Sequence, residues 1–226
     1  SRKFNVDTQA PSSSGMSYAP FTNDSTPGIT WTKSTDPGYP DTGSGVVGYE
    51  VQIGTTDGGH EKKPWTSVGN VLALDDAGWT TLGVELAPDG DYYVQVRAVD
   101  AVGWTSNVGS AKIVVDTASP VLANGLPTGY GNATPTISAD FTDERSGLAP
   151  LRTILMLTHK GIPTQIPVGN ITGDPTYGDG DMSTKIKHTP SYPLAEDGEY
   201  TVDMTAYDRA GNKSTPDPTL QWKFNV

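Results

Sequence analysis

The sequence contains no cysteine, so no disulfide bond stabilises it and each folded unit depends on its own apolar core. It has only three histidines, and it contains no paired-histidine zinc motif, no nucleophile elbow and no phosphate-binding loop. No apolar run reaches the roughly 18 residues that cross a bilayer. We therefore expect neither enzymatic activity nor direct insertion into a membrane.

Basic residues are also scarce, since 15 Lys and Arg stand against 26 Asp and Glu, for a net charge of −11. This balance disfavours nucleic acid and anionic membranes as partners, because both require a basic face. Cations, neutral glycans and proteins remain as possible binding partners. The lack of cysteine fits a bacterial or archaeal surface protein, so an extracellular or cell-surface location is expected.

The chain repeats itself at an offset of 108 residues, as LAPDGDY at 86–92 and LAEDGEY at 194–200 indicate. A third phrase separates the copies, with FNVDTQAP at 4–11, IVVDTASP at 113–120 and FNV at 224–226. Such a period indicates tandem modules. We predict the end strand and linker of a preceding module at 1–10, a first module at 11–116 and a second at 117–226.

Apolar and polar residues alternate in several short runs, the pattern of a strand with one buried face. These runs are 29–33, 47–53, 92–98 and 111–113 in the first copy, and 137–141, 200–206 and 220–224 in the second. Asp-Gly turns separate them, and no segment keeps a helical period. The sequence therefore predicts an all-β fold of two tandem β-sandwich domains.

A family resemblance rests on two stretches of the first copy: ITWT at 29–32, followed by Asp36, SGV at 44–46 and GYEV at 48–51, and LAPDGDYYVQVRA at 86–98. They resemble the B-to-C region and the E-to-F corner of fibronectin type III modules in bacterial extracellular proteins. The resemblance implies that Tyr92 and Tyr200 are corner tyrosines whose hydroxyls bond back to the preceding loop. The second copy has Ala139 in place of Trp31, and with AYDRAGN at 206–212 it looks more like bacterial immunoglobulin-like repeats.

Three aspartates recur in each copy and are the candidate metal ligands. In sandwiches of this type the linker, the B–C loop and the F–G turn share one end, so each set is predicted to converge at a module junction. Carboxylates that converge repel one another unless a cation bridges them, and calcium takes about six to eight oxygen ligands. Calcium bound there would stiffen a hinged chain. The sets are Asp7, Asp36 and Asp100 in the first copy, and Asp116, Asp143 and Asp208 in the second.

The alternative interpretation of these aspartates is ordinary turn chemistry. Aspartate caps turns through hydrogen bonds to nearby backbone, and the Asp-x-x-Gly of 100–103 and 208–211 has that form. The sequence favours turn capping and leaves calcium open. A further acidic pair, Asp179 and Asp181, is a weaker metal candidate because it has no counterpart in the first copy.

Two aromatic residues are the candidate ligand-binding residues. Trp104 takes the place of Asn212 at the F–G turn, and Tyr39 lies in the long B–C loop at the same predicted end. Aromatic faces there stack on sugar rings or pack on a neighbouring module, and packing is commoner between tandem domains. Trp31 and Trp222 fall on inward strand positions and are predicted to be core residues.

These features favour non-catalytic spacer modules of a larger secreted or cell-surface protein, of stalk or adhesin type. The alternative is a carbohydrate- or protein-binding accessory module of an extracellular enzyme. The expected partners are neighbouring modules of the same chain, with a glycan or surface protein under the alternative. Calcium is the only cofactor that the sequence suggests.

Overall fold

In the computed structural model, the described residues are 5–149, 152–174, 180, 182–194, 196–214 and 221–226. The chain divides into two compact units, Ser1–Val115 and Asp116–Val226. The observed division falls one residue before the predicted one. Residues 5–10 carry no strand, and residues 1–4 of the predicted end strand lie outside the described residues.

The first unit is a β-sandwich. One sheet has the strand order β1-β3-β6 and the other has the order β2-β8-β7-β4-β5. All neighbours are antiparallel except β2 and β8, which are parallel. The elements are β1 (Met16–Tyr18), β2 (Phe21–Thr22), β3 (Ile29–Trp31), β4 (Val46–Gly54), β5 (Lys63–Gly69), β6 (Ala73–Leu74), α1 (Asp76–Leu82), β7 (Asp91–Asp100) and β8 (Gly109–Val115).

The core of the first unit lies between these sheets because alternate strand residues point inward. Ile29 and Trp31 of β3 are buried, as are Val94 and Val96 of β7. The indole of Trp31 packs on the ring of Tyr49 at a centroid distance of 5.8 Å. The prediction that Trp31 is a core residue is confirmed.

The seven-residue helix α1 was not predicted, and neither were the strands β1, β2, β5 and β6, which lie outside the alternating runs. Asp75 caps the first turn of α1 by accepting a hydrogen bond from the backbone N–H of Gly78 at 2.9 Å. Gly83 ends it in the left-handed conformation, with φ 65°. Trp79 is completely buried, and its indole N–H donates to the carbonyl oxygen of Pro27 at 2.9 Å. The helix, which lies between β6 and β7 in the chain, therefore contributes Trp79 and Leu82 to the core.

The second unit repeats the same plan in its described residues, with one additional strand. Its sheets have the orders β14-β15-β11-β9 and β10-β17-β16-β12-β13, and only β10 and β17 are parallel. A 3-10 helix spans Val168–Asn170. The strands are β9 (Val121–Leu126), β10 (Gly129–Tyr130), β11 (Ile137–Thr142), β12 (Ile154–His159), β13 (Ile162–Ile166), β14 (Thr172–Asp174), β15 (Ser183–His188), β16 (Glu199–Thr205) and β17 (Trp222–Asn225).

The second unit has its own core, in which Phe141, Leu155 and Phe224 are completely buried. Trp222 was expected among them, but it is only half-buried and packs against this core. The reason is its position in β17, where its ring covers Gly125 of the opposite sheet. Trp222 lies two residues from Phe224 and faces the same side of β17, but it is the first residue of the strand and is less covered than Phe224.

The corner tyrosines occupy equivalent places in the two units. The hydroxyl of Tyr92 donates to the carbonyl oxygen of Ala87, and that of Tyr200 donates to the carbonyl oxygen of Glu196, both at 3.1 Å. These bonds confirm the role that the family resemblance implied. Together with the strand orders, they make both units fibronectin-III-like or immunoglobulin-like β-sandwiches, as predicted. Among the described residues, no helix is long and apolar enough to span a bilayer.

Candidate metal centres

The predicted aspartates come together in each unit. Asp7 lies on the segment that enters the first sandwich, Asp36 lies in the loop before β4, and Asp100 ends β7. One carboxylate oxygen from each lies within 4.8 Å of the other two. Only 8% of Asp36 and 2% of Asp100 is exposed. We call these three residues the first aspartate set.

Asp116, Asp143 and Asp208 form the second aspartate set, with ligand oxygens within the same 4.8 Å of one another. All three are buried, and Asp116 and Asp208 are completely so. The additional acidic candidates, Asp179 and Asp181, lie outside the described residues.

A Ser-Gly pair holds the first two aspartates of each set through consecutive backbone N–H groups. In the first unit Ser44 donates to Asp7 at 2.7 Å and Gly45 donates to Asp36 at 2.5 Å. In the second unit Ser146 donates to Asp116 at 2.9 Å and Gly147 donates to Asp143 at 2.6 Å. The two loops differ in length and yet end in the same arrangement.

The sequence analysis did not identify this Ser-Gly pair as part of the site. Its signal was available, because Ser-Gly follows the loop aspartate in both copies, at 44–45 and 146–147. Both glycines have positive φ, 85° for Gly45 and 78° for Gly147, a conformation that favours glycine. The left-handed turn lets two successive N–H groups reach two different carboxylates.

The third aspartate of each set caps the turn that follows its strand. Asp100 Oδ1 accepts from the backbone N–H groups of Gly103 and Trp104, both at 2.8 Å. Asp208 Oδ1 accepts from those of Gly211 at 2.6 Å and Asn212 at 2.8 Å. Turn capping is thus present, and it accounts for one oxygen of each of these carboxylates.

Turn capping leaves other carboxylate oxygens unsatisfied. Among the described residues, Asp36 Oδ1, Asp100 Oδ2 and Asp143 Oδ2 are buried and have no hydrogen-bond partner. A buried acceptor without a partner costs about 1–3 kcal/mol, and more when it is charged. Two carboxylates 4 Å apart also repel by about 4 kcal/mol at an effective dielectric constant of 20. A cation that coordinates these oxygens would remove both costs.

The pKa values of two of these aspartates shift in opposite directions. The backbone N–H groups of Gln9 and Ser44 donate to Asp7 and hold the pKa of its carboxyl group below the usual value. Burial raises the pKa of Asp208, and the nearby charge of Asp116 adds to this, against the hydrogen bonds from Asn212 and Gly211. The entering aspartate of the first unit is therefore readily ionised, whereas Asp208 is ionised at a cost.

The two candidate aromatic residues both border the first aspartate set, in different ways. The Trp104 indole N–H donates to the carbonyl oxygen of Asp7 at 3.3 Å, and 50% of the residue is exposed. Tyr39 is 64% exposed, and its ring lies against the backbone of Gly45. Tyr39 lines a cavity of about 480 Å³ with Lys33, Asp36 and Asn70, and Trp104 is not among the residues that line it.

No protein-family model matches this chain, and no curated protein matches it. Solved structures do. Fibronectin(III)-like modules of Clostridium thermocellum CbhA share 17% identity, cover 96% of this chain and 90% of that chain, and have a TM-score of 0.43. The FN1–FN3 domains of chicken CNTN1 share 14% identity with this chain, and the match covers 95% of this chain and 66% of the CNTN1 chain, with a TM-score of 0.31. A structure of a 1.5-MDa bacterial ice-binding adhesin shares 12% identity, and the match covers 97% of this chain and 64% of the adhesin chain, with a TM-score of 0.34.

The chain thus spans about two thirds of the CNTN1 and adhesin structures that it matches. The CbhA structure is the one of the three whose name describes fibronectin(III)-like modules. Because every one of these TM-scores lies below 0.5, the assignment of two sandwiches rests on the strand orders of the chain itself.

Proposed function

We propose that the two units are spacer modules of a larger secreted or cell-surface protein, and that each binds one calcium ion at its aspartate set. The observation that carries the proposal is the presence, in both units, of buried carboxylate oxygens without a partner. Each set joins the chain that enters a sandwich to two of its loops. A bound ion would therefore fix the direction in which the chain enters.

Calcium suits these sets better than a smaller or softer ion. The ligands are all carboxylate oxygens, which are typical of calcium and magnesium sites, and there is no cysteine in the chain and no histidine in either set. Magnesium demands a near-ideal octahedron and keeps its waters. Extracellular calcium modules bind at roughly 10⁻⁴ to 10⁻³ M, a range that fits a location outside the cell.

Calorimetric unfolding with calcium and with EDTA tests the metal proposal. Calcium at about 100 times its Kd adds about 2.7 kcal/mol to the stability of the folded form that binds it. Asp36→Asn and Asp143→Asn should each abolish this increment in their own unit. The matched controls are Asp41→Asn in the same loop as Asp36, and Asp197→Asn, which make the same charge change outside the sets. An unfolding profile that is the same in calcium and EDTA contradicts calcium binding.

The spacer role is tested by replacing both units within the parent protein. An unrelated pair of tandem sandwiches of the same length should preserve the activity of that protein, whereas deletion of both units should impair it. Loss of activity on replacement would show that specific surfaces of these units are needed, and would contradict a spacer role.

A second candidate function is glycan binding in the cavity beside the first aspartate set. The exposed ring of Tyr39 supports it, because sugar rings stack on aromatic faces and Lys33, Asp36 and Asn70 supply polar groups beside it. A glycan array tests this candidate with the unmodified chain and Tyr39→Ala. Binding that Tyr39→Ala abolishes would favour it, and an array without signal would count against it.

A further inference from the structure

The two aspartate sets differ at one equivalent position, which Trp104 occupies in the first unit and Asn212 in the second. We propose that this residue determines how strongly each unit needs its ion, so that the first unit holds the tight calcium site and the second unit is largely compensated by its own side chains. This inference rests on the calcium binding proposed above.

The two residues share one hydrogen bond and differ in another. Trp104 donates its indole N–H to the carbonyl oxygen of Asp7 at 3.3 Å, and Asn212 donates its amide N–H to the carbonyl oxygen of Asp116 at 2.7 Å. The amide of Asn212 also donates to Asp208 Oδ2 at 2.7 Å. An indole has only one N–H, so Trp104 cannot do the same for Asp100.

Because of this difference in hydrogen bonding, the two sets differ in how many carboxylate oxygens have no partner. In the first set both Asp36 Oδ1 and Asp100 Oδ2 are buried without a partner, whereas in the second set only Asp143 Oδ2 is. Asp36 and Asp100 are each more than nine-tenths buried, and each supplies an oxygen to the first set. The first set therefore offers an ion more carboxylate oxygens that no hydrogen bond already occupies.

The charge of the segments that carry each set also favours cation binding at the first set. The three segments that carry the first set, 7–11, 36–45 and 100–106, contain four acidic residues and no basic one. The corresponding segments of the second unit, 116–120, 143–149 and 208–214, contain four acidic and three basic residues. The basic residues are Arg145, Arg209 and Lys213, and the cation affinity of an oxygen site rises with its ligand charge.

These differences predict the relative affinities. A hydrogen bond to a charged group contributes about 1.5–3 kcal/mol, and an ion that takes Asp208 Oδ2 has to displace the bond from Asn212. Each 1.4 kcal/mol is about a tenfold change in Kd. The first site should therefore bind calcium at least about tenfold more tightly than the second.

Site-resolved NMR titration of the unmodified chain tests this order. The amides of Gly103 and Gly211 donate to Asp100 and Asp208, so their signals report on the two sites separately. The Gly103 signal should reach half-saturation at a calcium concentration about tenfold or more below that for Gly211. Equal midpoints, or the reverse order, would overturn the inference and leave calcium binding intact. Signals that do not move at either site would overturn both proposals.

Variants at the equivalent position then assign the cause, with the same NMR readout. Trp104→Asn places the amide in the first unit and should weaken the first site about tenfold, while Trp104→Phe keeps an aromatic ring without the amide and should weaken it far less. Asn212→Ala frees Asp208 Oδ2 and should tighten the second site. If Trp104→Asn and Trp104→Phe have the same effect, the side-chain amide is not the cause and the inference is overturned. If Trp104→Asn does not fold, the response of Asn212→Ala decides.

Discussion

Single side-chain hydrogen bonds hold loops against these sandwiches, and those of the corner tyrosines are the simplest case. Replacing Tyr92 or Tyr200 by Phe keeps the buried ring and removes one hydrogen bond to the preceding loop. Each variant should lower the free energy of unfolding of its own unit by about 1 kcal/mol. Urea denaturation measures the change. The control is Tyr130→Phe, since 91% of Tyr130 is exposed, and an equal loss in the control would remove the special role of the corner.

A second prediction at the residue scale concerns Gly147 of the Ser-Gly pair. Its φ is 78°, and a Cβ added there would lie 2.3 Å from the carbonyl oxygen of Gly180. Gly147→Ala should therefore destabilise the second unit by more than about 1 kcal/mol, through backbone strain and this clash. Thermal unfolding measures it, with Gly161→Ala as the control because that glycine also has φ 78° but open space around it. Equal losses would mean that strain alone acts.

At the scale of elements, α1 depends on its cap because an isolated helix of seven residues is too short to be stable in water. Asp75→Ala should remove the hydrogen bond to Gly78 and cost about 1 kcal/mol, whereas Asp75→Asn should cost little because Asn is an equally good N-cap. Chemical denaturation of the first unit distinguishes the two variants. If they are equally stable, the cap does not hold the helix.

The elements also explain what could be predicted from the sequence. Strands such as β4 and β7 alternate apolar and polar residues along most of their length, over 47–53 and 92–98, so their alternation is visible in the sequence. Helix α1 has only two turns and two buried residues, Trp79 and Leu82, so no helical period can emerge. The aspartate sets were predictable because the fold family fixes which loops meet. The difference between Trp104 and Asn212 was visible as a substitution, but its effect on Asp100 Oδ2 depends on hydrogen-bond geometry that sequence does not encode.

At the scale of the whole molecule, two separate cores predict two separate unfolding events. The buried apolar residues of the first unit form one cluster and those of the second unit form another. Trp79→Ala removes a completely buried indole and should destabilise the first unit by about 3–5 kcal/mol. Scanning calorimetry should therefore show one transition moved to lower temperature and the other in place. The complementary variant is Phe141→Ala in the second core, which should move the other transition. If either variant moved both transitions together, the two sandwiches would fold as one cooperative unit, and a spacer built from independent modules would be the wrong description.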